Sequence, residues 1–324
     1  MLSRRVVLAM PALLSPMAAR AQTAGFPNRP VRIVVPYPPG GPNDLVARAI
    51  GRAINERWGR PVVIDNRPGG AAGVVGTDMV ARSEPDGYTL LLNGITHAIA
   101  AGLYAHLPYD TARDFTAISL VGWAALMTVV HPSIPARSVE ELVAYINARP
   151  GKLSYASTGN GTSIHLATEM FKQMAGLNIL HVPYRGSAPA MTALLAGEVQ
   201  MMIEAVPSAL PLVRTGQIRA LAVTSPQRWP ALPDLPTIAE SGLPGFDAGI
   251  WWGVLGPARI PAPIVATLNE AVNAALKDEG TLRSLDALGI QPVGTTPEAF
   301  EQRIRQDMER YAKLIRDVGI QAPD

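Results

Sequence analysis

The chain has 324 residues, 48% hydrophobic and 17% charged, and contains no cysteine. That excludes a disordered, collagen-like or disulfide-stapled protein, and the length is sufficient for two hydrophobic cores. The 28 basic and 26 acidic side chains nearly cancel, and setting aside Arg4, Arg5 and Arg20 of a removable leader leaves −1, which excludes a nucleic-acid surface.

Residues 1–21 carry the three parts of an export signal: basic Arg4 and Arg5, an apolar stretch over 6–14, and Ala19-Arg20-Ala21 before a cleavage point at Gln22. The paired arginines suit either the general secretory or the twin-arginine route. The apolar run is too short for a membrane anchor and is interrupted by Pro11. An exported chain without cysteine depends on burial rather than disulfides.

From Val31 to about Val223, short apolar runs alternate with Gly- or Pro-rich turns and amphipathic segments, which predicts βα units with largely parallel strands. The expected strands cover 31–35, 62–64, 88–92, 153–156, 179–182, 199–203 and 218–223. A helix follows the first strand, with Leu45, Val46, Ala49, Ile50, Ala53 and Ile54 on one face. Ser138-Val139-Glu140-Glu141 is a capping box that starts another. Further helices are expected from Thr162, Ala188 and Ser208.

Residues 116–130 are apolar and long enough to cross between two lobes, and a second crossing follows Val223. The segment 225–246 is dense in Pro and Gly and reads as loop. A strand is expected over 251–255 and a helix from Pro263. Thr296-Pro297 caps a final helix with Phe300, Ile304, Met308, Tyr311, Ile315 and Val318 in one stripe. The expected arrangement is two α/β lobes joined by two crossings: an export signal at 1–21, one discontinuous lobe from 22–126 and 222–324, and a second from 127–221.

The loop from Pro36 to Asp44 joins the first strand to the first helix. Its glycines allow close backbone approach, and the helix start offers unpaired N–H groups to an anion. Alone it is also a plain tight turn in which Asn43 or Asp44 caps the helix. A second loop of the same kind, Ser157-Thr158-Gly159-Asn160-Gly161-Thr162-Ser163, lies in the other half. Two such turns at the carboxyl ends of strands predict a cleft for an acidic small molecule. Neither matches a dinucleotide fingerprint or a P-loop.

Catalytic constellations are missing: there is no cysteine, no G-x-S-x-G elbow, and the five histidines at 97, 106, 131, 165 and 181 form no metal-ligand spacing. No metal and no cofactor is expected. His165 faces either the cleft or the helix interior. Arg67 and Arg185 pair with a ligand or with neighbouring acids, Glu204 receives a ligand or caps a turn, and of Trp251 and Trp252 one walls the pocket while the other packs in the core.

The series Arg32-Ile33-Val34-Val35-Pro36-Tyr37-Pro38-Pro39-Gly40-Gly41 with Asp44, Asn66-Arg67-Pro68-Gly69, Pro85-Asp86-Gly87-Tyr88-Thr89-Leu90 and Leu107-Pro108-Tyr109-Asp110 continues with Tyr155-Ala156-Ser157, His181-Val182-Pro183-Tyr184, Arg219-Ala220-Leu221-Ala222-Val223 and Leu232-Pro233-Asp234-Leu235-Pro236-Thr237. From about Pro27 to Ile320 the chain strongly resembles the Bug receptors, the periplasmic solute-binding components of tripartite tricarboxylate transporters. The resemblance implies a type II periplasmic-binding-protein fold that closes on a small carboxylate and delivers it to an integral membrane permease. On this chain it points to Tyr37, Pro38, Gly40, Gly41 and Asp44 from one lobe, and to Ser157, Thr158, Gly159, Asn160 and His165 from the other. Val74, Ala193 and Glu204 depart from the residues commonest in relatives, which weakens any transfer of ligand identity.

The leading expectation is therefore a non-enzymatic periplasmic receptor for a di- or tricarboxylate, an amino acid or an aromatic acid. The alternatives are a co-receptor that presents its ligand to a membrane sensor kinase, and an exported hydrolase or isomerase using His165 with Ser157 or Ser163.

Overall fold

A computed structural model describes residues 25–69 and 71–322. The expected export signal lies outside the described residues. The first half runs β1 (Val31–Val35), α1 (Pro42–Trp58), β2 (Val62–Asn66), a 3-10 turn at Ala71–Gly73, α2 (Val74–Ala81), β3 (Thr89–Gly94), α3 (Thr96–Leu103) and β4 (Phe115–Val130). Next come α4 (Val139–Asn147), β5 (Ser154–Ser157), α5 (Ser163–Ala175), β6 (Leu180–Pro183), α6 (Ser187–Leu195), β7 (Met201–Ala205), α7 (Val206–Arg214) and β8 (Arg219–Val223). The chain returns through β9 (Gly249–Pro257), α8 (Ala262–Ala275), α9 (Glu279–Ala287), β10 (Gln291–Pro292) and α10 (Pro297–Val318).

The strands follow the order β2-β1-β3-β9-β4-β7-β5-β6, and β8 and β10 also pair with β4. Two parallel groups, β2-β1-β3 and β6-β5-β7, are each built of βα units. The expectation of largely parallel strands fails between them. There β9 runs antiparallel to β3 and β4, and β4 runs antiparallel to β7 and β8. The reason is connectivity: β4 carries the chain out of one group and β9 brings it back, so neither is fed by a right-handed crossover helix.

The 16-residue β4 belongs to both groups, its residues 115–125 facing β9 and its residues 126–130 facing β7. Burial is nearly continuous from Ala117 to Val130, because the sheet is covered on both faces, and this erases the alternation expected of a half-exposed strand. Two cores result. One packs Ile33, Val35, Ile50, Leu92, Trp252, Leu268 and Val272; the other packs Met127, Tyr155, Phe171 and Ile203 together with Trp251, Phe300 and Tyr311. Each such side chain contributes roughly 1.5–3 kcal/mol by burial.

Thr224 follows β8, where the second crossing is expected. Its Oγ1 accepts from the Leu126 N–H at 2.9 Å and donates to the Leu126 carbonyl at 3.1 Å, which ties it to β4 at the point where β4 changes partners. The Pro- and Gly-rich segment beyond it is irregular, as its composition predicts. Ser138 and Thr296 cap α4 and α10 by accepting from Glu141 and Ala299 N–H groups. Helix α7 begins at Val206, two residues before the expected Ser208, because Pro207 is well placed in a first helical turn. In α10 the buried stripe takes Leu314, whereas Val318 at its end is exposed. Helices α2, α3 and α9 are short and were not expected; α2 and α3 lack a strong periodic stripe, whereas α9 has an Asp278 cap and an amphipathic face that the sequence did offer.

Candidate ligand-binding site

The loop after β1 is held open from beneath. Asp44, in the first turn of α1, is buried and accepts from the Gly40 N–H and from Arg48 Nε, both at 2.9 Å. Burial raises its pKa, but hydrogen bonds from Arg48 and Gly40 outweigh that and hold it below the ordinary carboxylate range. Asp44 thus fixes the turn in which Gly40 sits at φ +86, a left-handed conformation open to glycine. The N-cap of α1 is Gly41, with no side-chain cap, so the first amides of the helix keep their donor capacity. Pro38 and Gly40 are exposed at the tip.

Tyr37 faces the other way. Its hydroxyl shares a hydrogen bond of 2.6 Å with Thr96 Oγ1 and approaches Asn93 Oδ1 at 3.2 Å. Burial pushes its pKa up to about 12, so it remains a neutral hydroxyl. Asn93 and Thr96 were missed from the sequence. The one available signal was a polar Asn at the end of the apolar run Leu90-Leu91-Leu92.

In the loop after β5, local hydrogen bonds consume several amides. Gly159 N–H donates to Ser157 Oγ at 3.2 Å, and Gly161 N–H donates to His165 Nδ1 at 3.0 Å. Thr162 caps α5 by accepting from the His165 N–H. Thr158 Oγ1 bonds Thr162 Oγ1, and Asn160 projects exposed from the tip. His165 is buried, stacked on His181 with ring centroids 4.0 Å apart, and with Asn160, Glu169 and Lys172 it lines a cavity bounded by residues 318–322. Burial, with the neighbouring His181 ring, lowers its pKa to about 4. It therefore adds no cation at neutral pH.

The pairing of His165 with Ser157 or Ser163 expected of a hydrolase is not formed. Ser157 is fully buried and bonds His181 Nε2 at 2.6 Å. His181 in turn stacks against the Tyr155 ring at 4.8 Å as well as against His165, with Glu169 holding the Tyr155 hydroxyl and Lys172 beyond it. Glu204 is buried near the end of β7 and accepts from Ser187 Oγ at 2.6 Å and from the Ala205 N–H at 2.7 Å. Burial raises its pKa against those two hydrogen bonds. Arg67 is exposed and paired with Asp65, and Arg185 is exposed. Trp251 and Trp252 are both core residues; the Trp251 indole donates to Asp307 Oδ2 at 2.8 Å. Among the described residues no group of three or more His, Asp or Glu is placed to hold a metal ion.

One short helix connects the two loops. Helix α3 starts at Thr96, on the Tyr37 hydroxyl, and ends at Leu103, whose Cδ2 lies 2.6 Å from where a Cβ on Gly161 would stand. Helix α3 thus touches both loops, through Thr96 on the Tyr37 side chain and through Leu103 against the backbone at Gly161. The donors they offer are neutral amides and hydroxyls.

Residues 46–320 match the family model described as the tripartite tricarboxylate transporter family receptor. The protein BugT of Bordetella pertussis is 38% identical over 305 residues, covering 94% of this chain and 93% of BugT. Among solved structures, Rpa4515 of R. palustris with adipate is 37% identical with a TM-score of 0.76, covering 92% of this chain and 99% of that one. MatC of Rhodopseudomonas palustris with bound malate is 32% identical with a TM-score of 0.72, covering 90% and 100%. The two-lobe α/β fold is thus shared with periplasmic solute-binding proteins over nearly the full length, and the chain belongs to the tripartite tricarboxylate transporter receptor family.

Proposed function

We propose that this protein is exported to the periplasm, captures a small dicarboxylate between its lobes, and hands it to the integral membrane permease of a tripartite tricarboxylate transporter. The observation that carries the reading is the pair of Gly-rich turns, one after β1 and one after β5, that α3 links through Thr96 on Tyr37 and Leu103 against Gly161. A dicarboxylate has one charged group for each turn. The adipate and malate held by Rpa4515 and MatC support the same class.

In this reading the α1 amides after Gly41, with Tyr37, Pro38 and Gly40 shaping the turn, receive one carboxylate; Thr158 and Asn160, held on the turn that Gly159 makes, receive the other. Asp44, Ser157, His165 and Glu204 hold those loops in shape. The lobes comprise 22–126 with 222–324, and 127–221, and closure turns on Leu126 and Thr224. The protein works by binding and release without chemistry on the ligand. Among the described residues no helix is long and apolar enough to cross a membrane, consistent with a receptor that meets its permease by diffusion.

The test is thermal unfolding of residues 22–324, freed of carried ligand by unfolding and refolding, against adipate, malate, citrate, glutamate, benzoate and uncharged analogues. A ligand at a hundred times its dissociation constant adds about 2.7 kcal/mol, a shift of a few degrees for this size. A shift with one or more dicarboxylates is expected. Stabilisation by a monocarboxylate or an uncharged analogue alone would overturn the two-turn reading.

A further inference from the structure

Between β4, the segment after β8 and α10 lies a cavity of about 490 Å³. Leu120 and Trp123 of β4, Ser225 to Pro230 after the second crossing, Asp247, Gln291, Val293 and Arg303 of α10 line it. Its polar lining is unusual. Trp123 Nε1, Ser225 Oγ, Asp247 Oδ1 and Arg303 Nη2 are buried atoms without a hydrogen-bond partner in the protein. Buried polar groups are almost always paired, because leaving one unpaired costs roughly 1–3 kcal/mol. Four of them around one cavity, from β4, the segment between β8 and β9, and α10, make a built site, and Ser225 is 97% buried.

The apolar walls are aromatic. Trp123 and Trp229 stand with ring centroids 5.5 Å apart and planes tilted by 47°. Gly249 on β9 makes room for this, since a Cβ there would overlap the Trp123 ring. The charges are balanced. Arg303 and Arg310 are matched by Asp247 and Asp307 in one network, and Arg228 at the rim is matched by Glu240. No net positive charge is left to attract an anion.

We infer that this cavity is a second ligand site, for a neutral planar ring compound that carries an amide-like pair, a carbonyl beside an N–H. The flat ring lies against the two indoles. The carbonyl oxygen accepts from Trp123 Nε1–H and Arg303 Nη2–H, the ring or amide N–H donates to Asp247 Oδ1, and Ser225 Oγ completes the set. This chemistry differs from the carboxylate recognition between the lobes, and the two sites are distinguished by charge. Because Ser225 directly follows Thr224, occupancy acts on the segment about which the lobes move.

The test uses the side-chain N–H resonances of the five tryptophans in the 15N-labelled protein, with Trp123→Phe identifying the Trp123 signal. Uracil and nicotinamide are titrated to millimolar concentration, with benzoate as the planar anion. The expected result is a saturable shift of the Trp123 signal with uracil or nicotinamide, weakened roughly two- to tenfold by Ser225→Ala. The other indole signals report that this variant is folded. Three results would overturn the site: no shift with either amide, meaning a cavity occupied by water only; a shift that Ser225→Ala leaves unchanged; or tighter binding of benzoate than of the amides.

Discussion

His97 shows how one residue records its surroundings. Its ring lies edge-on to Phe115 at 4.8 Å and stacked near Tyr109 at 6.4 Å, and neither ring nitrogen has a partner. Burial lowers its pKa to about 4. The unfolded chain binds a proton as pH falls through about 6.5, whereas the native state refuses it until about pH 4, so stability falls across that window. The loss is of order 3 kcal/mol at its fullest. His165 and His181 are lowered in the same direction. Glu204 is raised, so its contribution runs oppositely, weakening the fold as pH rises above the unfolded carboxyl value. Replacing His97 by Leu should flatten the dependence of Tm on pH between 6.5 and 4, read by calorimetry at a series of pH values. An unchanged slope would mean that the ring is hydrated in solution. At this scale the sequence was legible where contacts are local: the Gly161 to His165 bond spans four residues. It was opaque where they are distant, as for Tyr37 with Asn93 and Thr96, or for His165 against His181, because nothing in a single chain marks which helix start will meet which strand end.

Among the elements, β4 and the crossing after β8 decide what the lobes can do. The length and apolarity of 116–130 were legible as a crossing, whereas the antiparallel pairing was not, since burial on both faces leaves no period to read. Thr224 is fully buried and uses its hydroxyl twice on Leu126. Thr224→Val keeps the shape, and the Leu126 carbonyl keeps the Thr224 backbone N–H at 2.9 Å, but the Leu126 N–H is stranded, at a cost of about 1–3 kcal/mol. Thr224→Ser keeps the hydroxyl and should recover most of that. The check is the urea midpoint of all three proteins. Equal midpoints for the Val and Ser variants would show that the hydroxyl does not hold the crossing together.

Across the whole molecule, the relation between the lobes rests on contacts that no local pattern encodes. The two Gly-rich turns were legible one at a time; that a single helix of eight residues links them depends on α3, which carries no capping signal and no stripe. Helix α10 adds a second link, since Gln173 of α5 donates to Asp317 at 3.1 Å. The closest test of the arrangement lies at Leu103 and Gly161. Gly161 has φ +71, so Gly161→Ala carries backbone strain of roughly 1–2 kcal/mol wherever the lobes stand. It also meets Leu103, but only while the end of α3 lies against the loop. Leu103→Ala removes the clash and leaves the strain. A double-mutant cycle separates the two: Gly161→Ala should cost less in the Leu103→Ala background, by about 0.5 kcal/mol or more, measured by urea unfolding of the four proteins. Additivity within about 0.3 kcal/mol would mean that α3 and the loop stand apart in solution, and with it the link between the two turns would be lost.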